Sequence, residues 1–131
     1  MSALSYREEQ EATGETQEVL EKVKKQFGLS TVPNTFKAMA HKPAFLNALL
    51  DMDKAVFDDD ALDSKTKHLM AVAVSAVAGC EYCLHAHAAI AEQMGASEEQ
   101  VAEAMSVAAV MGAYNNFNKA LGMQNDITPE D

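Results

Sequence analysis

The chain has 131 residues, of which 48% are hydrophobic and 23% charged, as expected for one globular domain that buries a core. Its formal net charge of −10 argues against nucleic-acid binding and against docking on anionic membranes, because both require a basic face. Aromatic residues are few and tryptophan is absent. The apolar content is mainly alanine, leucine and methionine, which favours helices over sheets.

The first half of the chain predicts three helices. Residues 1–12 are polar and acidic, and we expect a flexible N-terminus there. A helix is predicted from about Glu15 to Phe27, because Gly28 supplies a stop. A short helix is predicted over residues 35–40. The third helix is predicted to begin at Pro43. Its predicted apolar face consists of Phe45, Leu46, Leu49, Met52 and Val56.

The second half predicts three further helices. Asp63 or Ser64 caps the first of them, which extends to about residue 78. Its segment 69–77 is apolar nearly all round except at Ser75, so burial on most sides is expected. The next helix is predicted from near residue 81 to near residues 94–95. Ser97 and Gln100 match a capping box for the last helix, which continues to about residue 119. Residues 124–131 are expected to form a flexible tail.

The predicted architecture is therefore all-α, with about six helices in one domain over residues 13–123. Two helices are apolar on more than one face, and a domain of this size has few places to bury both. We expect other copies of the chain to cover them, which predicts a homo-oligomer. Neither an apolar leader nor a transmembrane run occurs, so a cytoplasmic protein is expected.

The most informative motif is Cys80-Glu81-Tyr82-Cys83, followed by His87. Gly79 breaks the preceding helix, so both thiols are predicted in the first turn of a new helix. There, unpaired backbone N–H groups and the helix dipole favour a thiolate. His87 lies one helical turn after Cys83 and could accept its proton. These residues supply a nucleophile, a resolving thiol and a proton shuttle, which is the set that a thiol peroxidase needs.

Other interpretations of the motif are weaker. A zinc site built from the two thiols, His85 and His87 requires unwinding, because His85 points away from Cys83 on a helix. The haem-attachment motif requires a histidine where Leu84 stands, and a thioredoxin motif requires a βαβ unit that is not predicted. Inert buried cysteines stay open, since a free thiol packs as a small hydrophobe.

The remaining histidines carry weaker indications. His41 is expected at the surface or at a helix cap, and His85 facing solvent. His68 lies near the start of an apolar helix, where a structural histidine with its hydrogen bonds satisfied is the better interpretation from the residues alone. The methionines at helical spacings are expected to fill the core rather than bind a ligand.

The segment LDSKTKHLMAVAVSAVAGCEYCLHAHAAIAEQMGA, residues 62–96, resembles the AhpD-like branch of the carboxymuconolactone decarboxylase family. The shared pattern is a capped helix, a run of small residues, Gly-Cys-x-x-Cys, three residues and a histidine, and a helix ending in Gly-Ala. Residues 36–43 resemble the upstream part of related members. The resemblance covers most of residues 30–120.

The resemblance implies an all-helical protein that assembles as trimers, hexamers or related oligomers. AhpD-like members are thiol peroxidases and disulfide reductases that work without haem or metal. Their roles would make Cys83 the residue that forms the sulfenic acid, Cys80 the resolving thiol, and His87 a member of the proton relay. The usual relay glutamate is replaced by His68, which becomes a candidate relay member because imidazole shuttles protons near neutral pH.

The predicted function is therefore a thiol-dependent hydroperoxide reductase that uses Cys83, Cys80, His87 and His68. Its expected partners are a small hydroperoxide and an external dithiol or protein reductant, with no cofactor or metal. One rival is a decarboxylase or lactone-processing enzyme on the same fold. Another is a non-catalytic oligomer whose disulfide senses redox state.

Overall fold

A computed structural model describes residues 3–129, which contain six α-helices and no strand. The helices are α1 (Gly14–Phe27), α2 (Asn34–Met39), α3 (Pro43–Phe57), α4 (Ser64–Ala78), α5 (Glu81–Gln93) and α6 (Glu98–Leu121). The prediction of an all-α fold with about six helices is confirmed. The predicted flexible ends include residues 1, 2, 130 and 131, which lie outside the described residues. The proposed division at residues 12 and 123 stays a prediction.

Contacts divide the chain into two compact units, which meet in sequence between Val56 and Phe57. The first unit contains α1, α2 and nearly all of α3. Its core is aliphatic, and consists of Val19, Leu20, Val23, Val32, Ala40, Leu46 and Leu50.

The segment before α1 is bonded to the rest of the first unit. Arg7 donates its backbone N–H to the carbonyl of Lys37 over 3.1 Å, and the Lys37 ammonium lies 2.8 Å from a Glu8 carboxylate oxygen. Glu9 accepts the backbone N–H of Val32 over 3.0 Å. This hydrogen bond, with an ion pair to Lys24, lowers the pKa of the Glu9 carboxyl. These bonds join the segment to α1, α2 and the loop between them.

The predicted apolar face of α3 is partly wrong. Leu46 is fully buried as expected, but Phe45, Met52 and Val56 are each more than half exposed. The buried stripe instead continues through Leu50. The helix carries two apolar stripes, and tertiary packing rather than hydrophobicity decides which one faces inward.

The second unit contains α4, α5 and α6, and α4 packs against both other helices. The buried positions of α4 are His68, Val72 and Ser75, which follow one helical stripe. The expectation that residues 69–77 are buried on most sides does not hold within one chain, since Val74 is 66% exposed. A helix with two neighbours leaves its outer face uncovered. Of the methionines expected in the core, Met39 packs against the core of the first unit. The others are exposed, namely Met52, Met70, Met94, Met105 and Met111.

α6 begins with the predicted capping box. The Gln100 backbone N–H donates to the Ser97 hydroxyl over 3.1 Å, and the Ser97 N–H donates to the Gln100 side chain over 3.0 Å. Only Val101 and Ala108 of this helix are buried. Its exposed large apolar side chains are Met105, Val107, Val110, Met111, Tyr114, Phe117 and Leu121. Between residues 3 and 129, every helix is too short or too polar to cross a membrane.

Candidate active site

The site begins at the junction between α4 and α5. Gly79 ends α4 in the left-handed conformation, with φ of 74°, and the backbone N–H of Cys80 donates to the Ser75 carbonyl over 3.0 Å. The chain is thereby turned so that Cys80 occupies the N-cap of α5 in an extended conformation. The glycine break predicted from sequence is therefore the turn that sets the position of the first sulfur.

Cys80 and Cys83 are paired as a disulfide, with their Cα atoms 5.3 Å apart. The Cys80 sulfur accepts the backbone N–H of Cys83 over 3.2 Å, in the place of a conventional N-cap oxygen. Both cysteines are partly accessible to solvent. The N-terminus of α5 therefore directs an N–H donor and the positive end of its dipole at sulfur, which favours a thiolate when the pair is reduced.

The two inner histidines of the second unit meet through their side chains. His68, from α4, and His87, from α5, place their Nδ1 atoms 2.9 Å apart, within hydrogen-bond distance. His68 is 7% exposed and His87 is half-buried. His87 lies one turn after Cys83 on α5, so the same helix carries one cysteine of the disulfide and one histidine of the pair.

An aromatic ring from the end of α3 covers both imidazoles. The ring of Phe57 stacks on His68 with centroids 4.6 Å apart and on His87 with centroids 5.4 Å apart. The two imidazole centroids are 5.1 Å apart. Phe57, His68 and His87 therefore form a packed cluster, which we call the histidine cluster.

Burial lowers the pKa of both imidazoles in the histidine cluster, and the charge of His87 lowers that of His68 further. Both rings are therefore neutral at neutral pH. A hydrogen bond between two neutral Nδ1 atoms requires one Nδ1–H and one bare Nδ1, so the two rings hold opposite tautomers. When the ring with the bare Nε2 takes up a proton there, it can pass its Nδ1 proton to the Nδ1 of the other ring. The second ring can then release the proton on its own Nε2. The pair is suited to proton transfer.

The other histidines lie away from this cluster. His85 is exposed on α5, with its Nε2 3.6 Å from a Glu81 carboxylate oxygen. His41 bonds through Nε2 to the Ser5 carbonyl over 2.7 Å. Over residues 3–129, no three histidine, cysteine or acidic side chains gather closely enough to hold a metal ion.

The four predicted site residues thus form two pairs, Cys80 with Cys83 and His68 with His87. Sequence reasoning missed Phe57. Its position at the end of an apolar helix, before three aspartates, was available in the sequence. The stripe chosen for α3 passed through Val56 instead.

Comparisons with known proteins agree with this architecture. The profile of the carboxymuconolactone decarboxylase family matches residues 43–126. The chain is 45% identical over 84 residues to "Uncharacterized protein 4 in cox locus" of Paracoccus denitrificans, an alignment that covers 62% of this chain and 76% of that protein. It is 37% identical over 87 residues to the alkyl hydroperoxide reductase AhpD of Anaeromyxobacter dehalogenans, covering 65% of this chain. The match spans only 46% of that longer protein.

The fold also resembles a solved structure. The crystal structure of the alkylhydroperoxidase AhpD core from Rhodospirillum rubrum superposes with a TM-score of 0.88 and 26% sequence identity. This superposition covers 96% of the present chain and 95% of the other. Since the family profile matches most of the chain and an AhpD core shares its helical fold, the protein belongs to the carboxymuconolactone decarboxylase family.

Proposed function

We propose that the protein is a thiol-dependent hydroperoxide reductase of the AhpD type. The observation that carries the proposal is the Cys80–Cys83 disulfide at the start of α5, one turn before a histidine that bonds to His68. Relatives named alkyl hydroperoxide reductase support the substrate class. The role of each residue follows from the chemistry of thiols and from its place on the helix.

In the first half of the cycle, Cys83 gives its proton to the histidine pair and attacks a hydroperoxide. An S–O bond forms, the O–O bond breaks, and the departing alkoxide takes a proton from the histidine pair to leave as an alcohol. Cys83 is oxidised to a sulfenic acid. Neutral imidazoles suit this role, because the same group must accept a proton and then return it.

In the second half, Cys80 resolves the sulfenic acid. Its thiolate attacks the Cys83 sulfur, the S–S bond forms and the S–O bond breaks. The departing hydroxide takes up the proton that the Cys80 thiol released and leaves as water. The N–H of Cys83 that contacts the Cys80 sulfur favours the ionised form that this attack requires. An external dithiol then reduces the disulfide by exchange and becomes oxidised itself. A dithiol that is continually re-reduced fits a reducing compartment, so we place the cycle in the cytoplasm.

The test is consumption of a small alkyl hydroperoxide with dithiothreitol as the electron donor. The wild-type protein should turn over and Cys83→Ser should lose turnover. Cys80→Ser, treated with the hydroperoxide before any dithiol is added, should form a sulfenic acid and stop there, because dithiothreitol can replace Cys80 as the resolving thiol. His85→Gln is the matched control on the same helix and should retain the rate. Wild-type turnover by Cys83→Ser would contradict the proposal.

The family description supports a second candidate, a decarboxylase or lactone-processing enzyme. Such chemistry does not require a dithiol. If turnover of a muconolactone-type acid were unchanged after alkylation of both cysteines, this candidate would be favoured. A third candidate, a non-catalytic redox sensor, predicts that reductant alters the size of the assembly.

We also propose that further copies of the chain cover the outer faces of α4 and α6, as a trimer or hexamer. The support is the extent of exposed apolar surface on one small unit, including Val74 at 66% and Phe117 at 64% exposure. Val74→Asp and Phe117→Asp should shift the mass measured by light scattering towards the monomer. Ile127→Asp, at a residue that is more exposed but lies beyond α6, is the control and should leave the mass unchanged.

A further inference from the structure

We propose that Phe57 is a positioning residue that holds the imidazole rings of His68 and His87 in the orientation needed for proton transfer between them. This inference rests on the proposed function, in which those two rings form the relay. It gives a role to a residue whose side chain neither reacts nor forms hydrogen bonds.

The geometry of the stack supports this role. The phenyl plane lies 25° from the plane of His68 and 16° from that of His87, so it is close to parallel to both. A planar surface against two imidazoles opposes rotation about their χ2 torsions, which are otherwise soft. Since the Nδ1–Nδ1 hydrogen bond needs both rings in one orientation, restricting this rotation keeps the bond aligned.

The chemistry of the phenyl group also fits. The Phe57 ring contacts the faces of the two imidazoles and leaves their nitrogen edges available, so any aromatic ring stacked in this way meets the requirement. The phenyl ring also excludes water from the imidazole face that it covers on each histidine. An aromatic face alone would attract imidazolium, yet the pKa of both histidines is lowered, so loss of hydration outweighs that attraction.

The place of Phe57 in the chain distinguishes positioning from general core filling. It is the last residue of α3, and it lies outside the aliphatic core of the first unit. Its described ring contacts are with His68 and His87. The end of α3 therefore contributes a flat, apolar surface to the two groups that exchange a proton.

The test compares Phe57→Leu with Phe57→Tyr in the 131-residue chain. Leucine keeps apolar volume without a flat face, and tyrosine keeps the face. ¹⁵N-histidine NMR reports tautomers and titration of the four histidines. In Phe57→Leu, His68 and His87 should lose their opposite-tautomer signature and titrate closer to the ordinary value. Phe57→Tyr should retain the wild-type pattern. His41 and His85 should be unchanged in both, as internal controls.

Phe36→Leu is the matched control variant, because Phe36 stacks on Phe27 in the first unit, with centroids 5.5 Å apart. It should leave the His68 and His87 signals unaltered. Hydroperoxide turnover should fall about tenfold in Phe57→Leu, because a misaligned pair loses part of the rate that general acid–base catalysis supplies. Phe57→Tyr should keep the wild-type rate. If Phe57→Leu does not fold, Phe57→Met provides the same comparison against Phe57→Tyr.

The outcomes separate this inference from the proposed function. Unchanged tautomers and titration in a folded Leu or Met variant would overturn the role of Phe57, whatever the turnover. Altered histidine signals in a protein whose wild type consumes no hydroperoxide would support positioning by Phe57 and reject the peroxidase proposal.

Discussion

His68 and His87 place their Nδ1 atoms 2.9 Å apart, although they come from different helices. Two protonated imidazoles could not keep this contact, because each would offer only donors and both would be positively charged. The pair therefore holds together with at most one added proton. The histidine pair can therefore take up one proton, and each step of the proposed cycle transfers one proton.

The first prediction concerns His68. In His68→Gln the amide can still hydrogen-bond to His87 but cannot accept and return a proton. Hydroperoxide turnover should fall by about 10²-fold, the lower end of what general acid–base catalysis supplies. The measurement is steady-state consumption with dithiothreitol across a pH series. In the wild type, the rate should be full where the rings are neutral and fall in acid. Because the pKa of both rings is lowered, this acid limb should lie below pH about 6.5.

His85→Gln is the control for that experiment, because His85 is exposed and pairs only weakly, at 3.6 Å, with Glu81. Its rate and acid limb should match the wild type. A wild-type rate in folded His68→Gln would remove His68 from the relay and leave His87 as the sole shuttle.

The second prediction concerns stability against pH. In the unfolded chain, both histidines take up protons below pH about 6.5, whereas in the folded protein their pKa is lower. The unfolded state therefore binds more protons in this window. Stability supplied by the two neutral rings is present above pH 6.5 and is lost as pH falls towards the folded pKa. Denaturant unfolding from pH 7.5 to 5.5 should show this decline.

The comparison is with His68→Leu and with His41→Gln. The first removes one of the two buried imidazoles, so its free energy of unfolding should depend less steeply on pH over the same interval. The second changes a histidine of the other unit, so it leaves in place the contribution that His68 and His87 make to the slope. Equal slopes in wild type and His68→Leu would contradict the linkage.

Features of this fold that depend on neighbouring residues in sequence could be predicted. The Ser97 capping box and the Gly79 stop are local, because each is decided by hydrogen bonds and backbone torsions within a few residues. The spacing of Cys80 and Cys83 placed both sulfurs at one helix turn for the same reason. His68 needed the family resemblance, since no local rule pairs it with a residue on the next helix.

Features decided by packing could not be predicted. The inward stripe of α3 was misplaced because Leu50 and Val56 are both apolar and only one of them is buried. The burial of Ser75, with Val74 exposed, likewise reverses the order of hydrophobicity on α4. Phe57 was missed because its ring contacts residues on other helices, which periodicity within one helix does not reveal.

The third prediction concerns the two thiols after reduction. Cys80 occupies the N-cap and its sulfur accepts the Cys83 N–H, so its thiolate gains a donor and the helix dipole. His87, whose pKa is lowered by burial, is neutral at neutral pH and therefore places no positive charge near the Cys83 thiol before a proton is transferred. In single-cysteine variants, the Cys80 thiol should therefore titrate below the Cys83 thiol, and below the ordinary value of about 8.5. Ultraviolet absorbance of the thiolate in Cys83→Ser and Cys80→Ser measures both.

This ordering has a consequence for exchange with the reductant. The more acidic thiol is the better leaving group, so an incoming thiolate should attack Cys83 and release Cys80. Cys80→Ser should consequently trap a longer-lived mixed disulfide than Cys83→Ser does, as read by mass spectrometry. A Cys80 thiol that titrates at or above the ordinary value would defeat both expectations.

The fourth prediction concerns Gly79, which turns the backbone between the end of α4 and Cys80. Its φ of 74° lies in the left-handed region, and an added Cβ would meet no atom within 4 Å. The cost of Gly79→Ala is thus one of backbone conformation, about 1 kcal/mol. Gly112→Ala, inside α6 and equally open, removes only chain entropy and should stabilise by about 0.5–1 kcal/mol. Denaturant unfolding of both oxidised variants should give opposite signs. If Gly79→Ala were as stabilising as Gly112→Ala, the turn before Cys80 would not require glycine, and the placement of the first sulfur would have to depend on the Cys80 N–H bond to Ser75.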